Sequence, residues 1–494
     1  MQNPVIYADY PDPDLIRVND RYYMITTTMH MFPGGDLLTS RDLVHWELCC
    51  HVFTELEGTP AQQLNQGHIY GKGMWAATLR YHRGVFHILF VANDTGKTYH
   101  YTATVPEGPW EYHPVEGFYH DASLLFDDDG KVYLAYGNRE IRIREMEPDL
   151  SRPKKGGLDR IALVDEGNVM LGFEGCHFYK LHGKYYLFLI HWPKDGHARR
   201  TEACYAAPSI DGVFEGGNIL DDDMDFFNQG VAQGGIVDTP DGKWYAMLFQ
   251  DHGACGRMPV LVPMYWENDF PVFPSAPPLL EGFPSASDDP LKPLVSSDAL
   301  RGESLADWWQ WNHLPDMSRV QCTPDGLVLH TGLPALTLED ATNTLTQRTT
   351  GPKCSFQVNI DVSGLKRGQR AGLCALQGQY AACAIERDEE DGFSLVFEQR
   401  TAEGFAPDYT LTSSEAIPLP SPRVSLRAEF DFTDMKDQVC FFLKAGGKWR
   451  QIGRPHQLRY RLDHFMGVRI GLFCYAAAES DTGEALFTDF VYQG

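Results

Sequence analysis

A paired-strand pattern that recurs five times in the first half of the chain constrains the fold more than any other feature. Each copy has an extended apolar run, a polar turn and a second extended run rich in aromatic residues. Asn, Asp and Gly at the turns are typical of tight β-hairpins, because they tolerate a positive backbone φ angle. The predicted turns are Asn19-Asp20, Arg83-Gly84, Asp129-Gly130, His182-Gly183 and Asp241-Gly242.

The spacing of these copies predicts how many strands each unit contains. Their aromatic landmarks are separated by roughly 45 to 65 residues, which suits one four-stranded sheet each. Helical periodicity is nearly absent from this region, so five sheets around one axis, a five-bladed β-propeller, are predicted. An all-β sandwich with similar hairpins is the alternative. The landmarks are Tyr22, Phe86, Tyr133, Tyr185 and Trp244.

A change of pattern near residue 295 predicts a second domain. Residues 271–293 are rich in Pro and Ser and end the hairpin repeats, as a linker or surface strap does. Beyond them, segments such as GLVLHTG, CSFQVNIDVSG and VRIGLFCYA alternate apolar and polar residues, which favours a two-sheet β-sandwich. We therefore predict an all-β chain with a propeller over 1–285, a linker over 286–298 and a β-sandwich over 299–494.

Composition and charge restrict the partners of such a chain. With 43% hydrophobic and 12% aromatic residues, its 494 residues suit two or more packed domains. The formal net charge of −25 and the lack of a Lys/Arg run argue against nucleic acid and anionic membranes. No apolar run reaches the roughly 20 residues of a membrane-spanning helix. A neutral substrate fits better, and the oligomeric state, a homo-oligomer included, is left open.

The cysteines and the N-terminal segment predict a cytoplasmic location. The 11 cysteines are an odd number, are scattered without CxxC pairs and include the neighbours Cys49 and Cys50. Reduced thiols explain this pattern better than disulfides or a zinc site do. The segment MQNPVIYADYPDPD has no basic start, apolar stretch or small-residue cleavage site of a signal peptide.

Three acidic residues stand at equivalent places in the repeats. Asp12 in YPDPDL, Asp121 in HDASLLF and Glu174 in FEGCHFY lie at or just before the first strand of a predicted blade. The innermost strands of a propeller face one central funnel, so we expect these carboxyl groups to converge there. Cleavage of a glycosidic bond needs one carboxyl as proton donor and another as base or nucleophile. A third carboxylate nearby raises the pKa of the donor, so the three predict a glycosidase.

Several longer segments carry a family resemblance. NPVIYADYPDPDLIRVNDRYYMITTT with FPGG, WAATLRYHRGVFHILF, HDASLLFDDDGKVYLAYG, EGCHFYKLHGKYYLFL and HGACGRMPVLVP resemble family 43 glycoside hydrolases across the predicted propeller. DWWQWNHLPD, NTLTQRTTGP and AGLCALQGQYAACAI resemble the sandwich that follows the propeller in β-xylosidase-like members. The resemblance covers nearly the full chain and implies that the sandwich is a concanavalin-like jelly roll.

The resemblance implies a role for each of the three acids. Asp12, in the Pro-Asp-Pro step, matches the general base of the family, and Glu174 matches the general acid. Asp121 matches the acid that tunes the pKa and the orientation of the general acid. The family is inverting, so base and acid are expected about 6.5–9.5 Å apart, with room for a water molecule. The chemistry requires no cofactor.

The resemblance also implies a sugar pocket around these acids. Trp75 matches a tryptophan that lines the pocket, although Trp-Ala-Ala replaces the usual Trp-Ala-Pro. Arg257 matches an arginine whose guanidinium hydrogen-bonds sugar hydroxyls. Met29 stands where related xylosidases often have an aromatic ring, which leaves the sugar preference open. Further pocket candidates are His30 and Phe32, which are placed to replace that ring, and Thr201.

A metal site is implied by one histidine. His252 in FQDHGACG resembles the histidine that helps to hold a cation at the propeller centre in many relatives. Such an ion would be Ca²⁺, largely coordinated by water, with a structural and electrostatic role. A hydrogen-bonded core histidine is the alternative reading of His252.

These observations predict an exo-acting glycosidase that releases terminal pentose units from small oligosaccharides. β-D-Xylosidase action on xylo-oligosaccharides and α-L-arabinofuranosidase action on hemicellulose side chains are both open, and the expected cytoplasmic location favours the first. The C-terminal domain disfavours an endo-acting arabinanase, and a loop of that domain that narrows the pocket mouth would enforce exo action. A carbohydrate-binding propeller without catalysis is the alternative from another class, although binding needs no paired acid and base.

Overall fold

The described part of the chain is an all-β protein, as the alternating apolar pattern predicts. Its helical turns are short 3₁₀ segments at Gly253–Cys255, Met317–Arg319, Leu338–Asp340 and Thr433–Met435. No described helix is long and apolar enough to cross a membrane. The structure, a computed structural model, describes residues 1–166, 170–284, 286–287, 290–388, 391–404, 406–478 and 482–494.

The first half of the chain folds into five antiparallel sheets, each with four strands in the described residues. Blade one contains β1 (Asp14–Val18), β2 (Arg21–Thr26), β4 (Gly34–Ser40) and β5 (Trp46–Phe53), and β3 (Met31–Phe32) lies outside it. Blade two contains β6 (Thr78–His82), β7 (Val85–Ala92), β8 (Lys97–Ala103) and β9 (Glu111–Val115). Blade three contains β10 (Ser123–Phe126), β11 (Val132–Asn138), β12 (Glu140–Met146) and β13 (Asp159–Val164).

The last two blades complete the predicted five-bladed propeller. Blade four contains β14 (Glu174–Leu181), β15 (Lys184–His191), β16 (Thr201–Ala207) and β17 (Glu215–Leu220). Blade five contains β18 (Ala232–Asp238), β19 (Trp244–Asp251), β20 (Arg257–Glu267) and β21 (Phe270–Val272).

The predicted hairpins form the two innermost strands of each blade. They are the pairs β1–β2, β6–β7, β10–β11, β14–β15 and β18–β19. Two-residue turns join three of these described pairs, and the first turn residue has a φ of 58° at Asn19, 50° at Arg83 and 50° at His182. Turns with positive φ follow the twist of the strands, so the local sequence sets the hairpin register.

The innermost strands close into a ring in which each packs against two others. The carboxylate of Asp14, in β1, lies inside this ring with no exposed surface. Its Oδ2 accepts hydrogen bonds from the Leu79 backbone nitrogen at 2.8 Å and from Nη1 of Arg80 at 2.7 Å, both in blade two. Its Oδ1 lies 3.2 Å from Nδ1 of His177 in blade four.

The Arg80 guanidinium extends this network to blade three. Its Nε donates to the Leu124 carbonyl oxygen at 2.8 Å, and its Nη2 donates to Oγ of Ser123 at 2.7 Å. Oγ of Ser123 also accepts a hydrogen bond at 2.9 Å from the Phe178 backbone nitrogen in blade four. The buried ion pair of Asp14 and Arg80 thereby connects blades one to four.

The second half of the chain folds into a β-sandwich, as predicted. Its first strands are β22 (Gln310–Asn312), β23 (Val320–Thr323), β24 (Gly326–His330), β25 (Thr344–Arg348), β26 (Lys353–Asp361), β27 (Gln369–Leu376), β28 (Ala381–Arg387) and β29 (Phe393–Ala402). They are followed by β30 (Tyr409–Ser413), β31 (Ile417–Leu419), β32 (Arg423–Asp431), β33 (Gln438–Ala445), β34 (Lys448–Gln457), β35 (Arg469–Ala476) and β36 (Glu484–Gln493).

Two antiparallel sheets make up the sandwich. In the described residues, one has the strand order β23-β24-β36-β26-β32-β33-β34. The other has the order β22-β25-β35-β27-β28-β29-β30, with β31 beside β29, and β3 of the propeller pairs with β22 at its edge. Apolar side chains of the two facing sheets, such as Phe356 and Leu373, meet in one buried core.

The predicted domain limits fall between these two sets of strands. The last propeller strand ends at Val272, and the first sandwich strand begins at Gln310. The predicted boundary at residue 285 and residues 288–289 of the predicted linker lie outside the described residues. The limits of the linker therefore stay a prediction.

Buried charged groups join the two domains. Oδ1 of Asp9 accepts a hydrogen bond from the Arg257 backbone nitrogen, and Oδ2 accepts one from the Gly467 backbone nitrogen, both at 2.8 Å. Nη2 of Arg348, in the sandwich, lies 2.6 Å from Oδ2 of Asp36 in blade one. Its Nε donates to the carbonyl oxygen of Asp9 at 2.7 Å. These contacts fix the sandwich against the end of the propeller where Arg257 lies.

Replacement of Asp14 by Asn tests the network inside the ring. Burial opposes the ionisation of Asp14, but Arg80 and His177 lower its pKa to about 2. The carboxylate therefore stabilises the fold above about pH 4, and this stabilisation is lost as the pH falls towards 2. Asp14→Asn leaves a buried arginine without its partner, so we expect the free energy of unfolding at pH 7 to fall by about 3–5 kcal/mol. Urea unfolding followed by tryptophan fluorescence measures this change.

Asp20→Asn is the matched control. The Asp20 side chain is 80% exposed and lies 3.7 Å from Arg41. Because exposed ion pairs contribute about 0–1 kcal/mol, this variant should unfold close to the wild type. Wild-type stability of Asp14→Asn at pH 7 would contradict the role assigned to Asp14.

Candidate active site

The predicted acids lie at one end of the central ring. Asp12 and Asp121 each precede the innermost strand of their blade by two residues, and Glu174 is the first residue of β14. Asp12 has a φ of 54° and Asp121 a φ of 46°, in the left-handed region that non-glycine residues rarely adopt. The charges of Asp12 and Glu174 both act on Asp121, so the structure brings these distant segments together.

Asp12 is buried beside an arginine. Nη1 of Arg257 donates a hydrogen bond to Oδ1 of Asp12 at 2.6 Å. Burial raises the pKa of Asp12, and the guanidinium of Arg257 acts against this rise. Nε and Nη2 of Arg257 are buried and have no hydrogen-bond partner among the described residues. Arg257 can therefore favour the ionised form of Asp12 and also donate to a ligand hydroxyl.

Asp121 and Glu174 form a carboxyl pair. Oδ2 of Asp121 accepts a hydrogen bond at 3.2 Å from the backbone nitrogen of Gly175, the residue that follows Glu174. Burial raises the pKa of Asp121 to about 7; the charge of His120 opposes this rise and that of Glu174 adds to it. Oδ1 of Asp121 is buried without a hydrogen-bond partner in the described part of the chain. Asp121 therefore retains its proton to near neutral pH, beside the carboxyl of Glu174.

Glu174 is the more accessible member of this pair. Its side chain is 16% exposed, against 4% for Asp121. Nδ2 of Asn138, at the end of β11, donates a hydrogen bond to Oε2 of Glu174. A partly open carboxyl next to a buried one is suited to transfer a proton to a bound ligand.

His120 lies against both members of the pair, and the sequence analysis did not predict it. Its Nε2 is 3.6 Å from Oε2 of Glu174 and 3.7 Å from Oδ2 of Asp121. The signal available in the sequence is its place directly before Asp121 in HDASLLF. Burial disfavours a charged ring, but the two acids raise the pKa of His120 to about 9.

The same three residues are close enough for a metal ion to be considered. One ligand atom from each of His120, Asp121 and Glu174 lies within 4.8 Å of the others. Without a metal ion, the two acids favour the imidazolium form of His120, and a bound metal would have to displace that proton.

Trp75, Met29 and a residue of the sandwich surround this site. The Trp75 ring centre is 5.5 Å from that of His120 and 5.5 Å from that of Phe465. Phe465 belongs to the loop between β34 and β35, and the Arg257 guanidinium lies 4.5 Å from its ring centre. Met29 packs in an apolar cluster with Trp75 and Phe465. Trp75 and Arg257 thus lie beside the acids together with Phe465 of the sandwich, whereas Met29 is 1% exposed and is buried in the cluster that Trp75 packs against.

His30 and Phe32 lie elsewhere than the sequence analysis expects. Both are 1% exposed and are buried where the propeller meets the sandwich. The His30 ring centre is 5.1 Å from that of His313 in the sandwich. Phe32, in β3, lies opposite Trp311 of the sandwich strand β22. Neither ring is open to a sugar. The interface between the domains covers them, so the structure assigns both a packing role.

Thr201 is also enclosed. It has no exposed surface, and its Oγ1 donates to the carbonyl oxygen of Arg199 at 3.4 Å. The preceding residue, Arg200, lies nearer the chemistry, because its charge lowers the pKa of Asp12. Nε of Arg200 is 2.7 Å from Oδ2 of Asp251, which holds the guanidinium in place.

His252 lies in a cleft of about 610 Å³ between blade five and the sandwich. Its Nε2 is 2.9 Å from Oε1 of Gln250, and its ring stacks on Phe226 with 4.2 Å between ring centres. Burial lowers the pKa of His252 to about 4. An amide oxygen and an aromatic ring do not form the oxygen-rich shell of Ca²⁺, so these contacts do not fit the expected cation site.

The fold and the site together define a class. A propeller with three convergent carboxyl groups, one of them with its pKa raised to about 7, is suited to acid–base cleavage of a sugar linkage. The family model described as glycosyl hydrolases family 43 matches residues 1–271, and that of the β-xylosidase C-terminal concanavalin A-like domain matches residues 297–493. The chain belongs to glycoside hydrolase family 43 and is a glycoside hydrolase.

Individual relatives agree with this assignment. A β-xylosidase of Formosa agariphila is 28% identical over an alignment of 518 positions that covers 90% of this chain and 85% of the relative. A non-reducing end α-L-arabinofuranosidase of Bacteroides ovatus is 30% identical over 288 residues, covering 54% of this chain and 52% of the relative. The solved structure of a bifunctional GH43-CE protein of Bacteroides eggerthii has a TM-score of 0.92 and 39% identity. It covers 100% of this chain, which spans 63% of that longer protein.

Replacement of Arg257 tests its effect on Asp12. Because the guanidinium opposes the rise in the pKa of Asp12, Arg257→Leu should raise that pKa further. Asp12 must be ionised to act as a base, so the acid limb of the pH profile of kcat/KM should move to higher pH, by about 1–3 units. Arg257→Lys keeps the charge and should move the limb less. If the acid limb of Arg257→Leu stays at the wild-type pH, Asp12 is not the group whose ionisation sets that limb.

Proposed function

We propose that the chain is an inverting, exo-acting glycosidase that releases terminal pentose units, acting as a β-D-xylosidase on xylo-oligosaccharides. The observation that carries the proposal is the difference in protonation state among the acids. Arg257 favours the ionised form of Asp12, while Asp121, next to Glu174, retains a proton in the same site. Two-carboxyl hydrolysis needs one ionised and one protonated group at the same pH.

In the proposed reaction, Glu174 gives its proton to the glycosidic oxygen as the bond from that oxygen to the anomeric carbon breaks. Asp12 takes a proton from a water molecule, whose oxygen bonds to the anomeric carbon from the opposite face. Asp121 helps to orient Glu174, because its Oδ2 accepts a hydrogen bond from the Gly175 backbone nitrogen. A separation of about 6.5–9.5 Å between Asp12 and Glu174 is part of this proposal.

The enclosure of the site supports exo action. Trp75 and Phe465 pack with their ring centres 5.5 Å apart next to the acids, and Phe465 comes from the second domain. A pocket closed by two domains admits the end of a chain more readily than its middle. Aromatic faces also pack well on the apolar faces of a pyranose.

α-L-Arabinofuranosidase activity is the second candidate. Relatives named for each of the two activities are similar to this chain. Met29, a flexible side chain buried next to Trp75, suits a site that accommodates both pentoses. Cytoplasmic action on short oligosaccharides is part of the proposal. It is supported by the 11 cysteines, all of them described and free, most of them buried.

The experiment compares initial rates on nitrophenyl β-D-xylopyranoside, nitrophenyl α-L-arabinofuranoside and xylobiose for the wild type and Glu174→Ala. Loss of the general acid should lower kcat on xylobiose by about 10²–10⁴-fold. Proton NMR of the first product from a β-xyloside should show the α anomer, as inversion requires. Glu111→Ala, at an exposed site in blade two, is the control and should hydrolyse like the wild type. Full activity of Glu174→Ala on xylobiose would refute the assignment of the acid.

Removal of divalent cations tests the Ca²⁺ expected at His252. Because the contacts of His252 do not fit a cation site, we expect EDTA-treated protein to keep its kcat and its Tm. A drop in Tm that Ca²⁺ reverses, and that His252→Ala abolishes, would instead establish the site. Either result leaves the roles of the three acids unchanged.

A further inference from the structure

His120 is held by several neighbours in a fixed place beside the carboxyl pair. Its side chain is 20% exposed, and its Nε2 is within 3.7 Å of an oxygen of each acid. One face of the ring packs near Trp75, with 5.5 Å between ring centres. The backbone also fixes it, since the His120 carbonyl oxygen accepts a hydrogen bond at 3.0 Å from the Gly137 nitrogen.

The charges that face His120 are of one sign. Asp121 and Glu174 are the described charged groups that act on its ring, and both favour the imidazolium. Trp75, which packs against it, carries no charge. Asp12 acts on Asp121 and adds further negative potential to the site. A cation at this position therefore offsets part of the negative charge of three acids.

We propose that His120 is a positioning residue that, as an imidazolium, holds Asp121 and Glu174 in place and stabilises the carboxylate formed on Glu174 during bond cleavage. This inference rests on the proposed function, because it assigns the task of proton donation to Glu174. His120 keeps its own proton throughout. The proton that reaches the leaving sugar comes from Glu174, and the proton of the attacking water goes to Asp12.

The physical reason is that a negative charge forms on Glu174 next to His120 only while the bond breaks. Before cleavage the carboxyl pair holds one proton and one negative charge, and His120 balances that charge. As Glu174 gives up its proton, a second negative charge develops on the pair, 3.6 Å from Nε2 of His120. A fixed positive charge at this distance lowers the barrier, because it needs no rearrangement when the charge forms. The same charge lowers the pKa of Asp121.

The test uses His120→Phe, which keeps a ring against Trp75 and removes the charge. Xylobiose has a leaving group that must be protonated, whereas dinitrophenyl β-D-xyloside releases a stable phenolate without help. If His120 supports proton donation, kcat should fall by about 30-fold or more on xylobiose and by less than about 3-fold on the dinitrophenyl substrate. A purely structural role would lower both rates by the same factor, and that result would overturn the proposal.

The pH profile gives a second readout. Because the imidazolium lowers the pKa of Asp121, its removal should move the basic limb of kcat/KM to higher pH, by about 1 unit. His120→Arg restores a positive charge and should recover part of the activity on xylobiose and the position of the limb. A basic limb that stays at the wild-type pH in His120→Phe would contradict the proposal.

Glu174→Ala separates this inference from the proposed function. If Glu174→Ala hydrolyses xylobiose like the wild type, the proposed function fails and the role of His120 fails with it. If Glu174→Ala loses xylobiose hydrolysis while His120→Phe shows no dependence on the leaving group, only the role of His120 fails.

Discussion

The ion pair of Asp14 and Arg80 inside the ring is the interaction on which the propeller depends. Among the described strands none is shared between two blades, so side chains hold the blades together. Apolar clusters pack between neighbouring blades, and the polar network inside the ring links blades that are not neighbours. Asp14 is bonded to blades two and four, and Arg80 reaches blade three. Asp12 lies two residues before Asp14, and Asp121 two residues before Ser123, which accepts a hydrogen bond from Arg80. The network that closes the ring therefore also sets the spacing of the acids.

The site itself carries groups that the fold leaves unsatisfied. Oδ1 of Asp121, Nε2 of His120 and two nitrogens of Arg257 are buried without a hydrogen-bond partner among the described residues. Each such atom costs free energy of folding, because its hydration is lost and not replaced. Two of the acids also occupy left-handed backbone conformations. These costs are concentrated where a substrate would satisfy the free donors and acceptors, which is typical of an active site.

The repeats and the three acids could be predicted because their signals are local. A two-residue turn such as Arg83-Gly84 between alternating segments is read within a few residues, and Asp121 is recognised from its own motif. His30, Phe32 and Thr201 were expected in the pocket, but their burial depends on parts of the protein that pack over them from elsewhere in the chain. Phe465 was missed for the same reason, since a phenylalanine in a sandwich loop carries no chemical signature.

The sequence by itself determined the class of fold and the two-domain order and singled out the candidate acids, because hairpin turns, alternation and short motifs act over a few residues. Only the tertiary structure decided which side chains share the pocket and how they are charged. Burial, together with the charges of Glu174 and Asp12 in other blades, raises the pKa of Asp121 to about 7. The adjacent Asp121 and Glu174 of blade four raise the pKa of His120 to about 9, against the effect of burial. Distances across a closed ring and against a second domain depend on how the whole chain packs, and no local pattern specifies them.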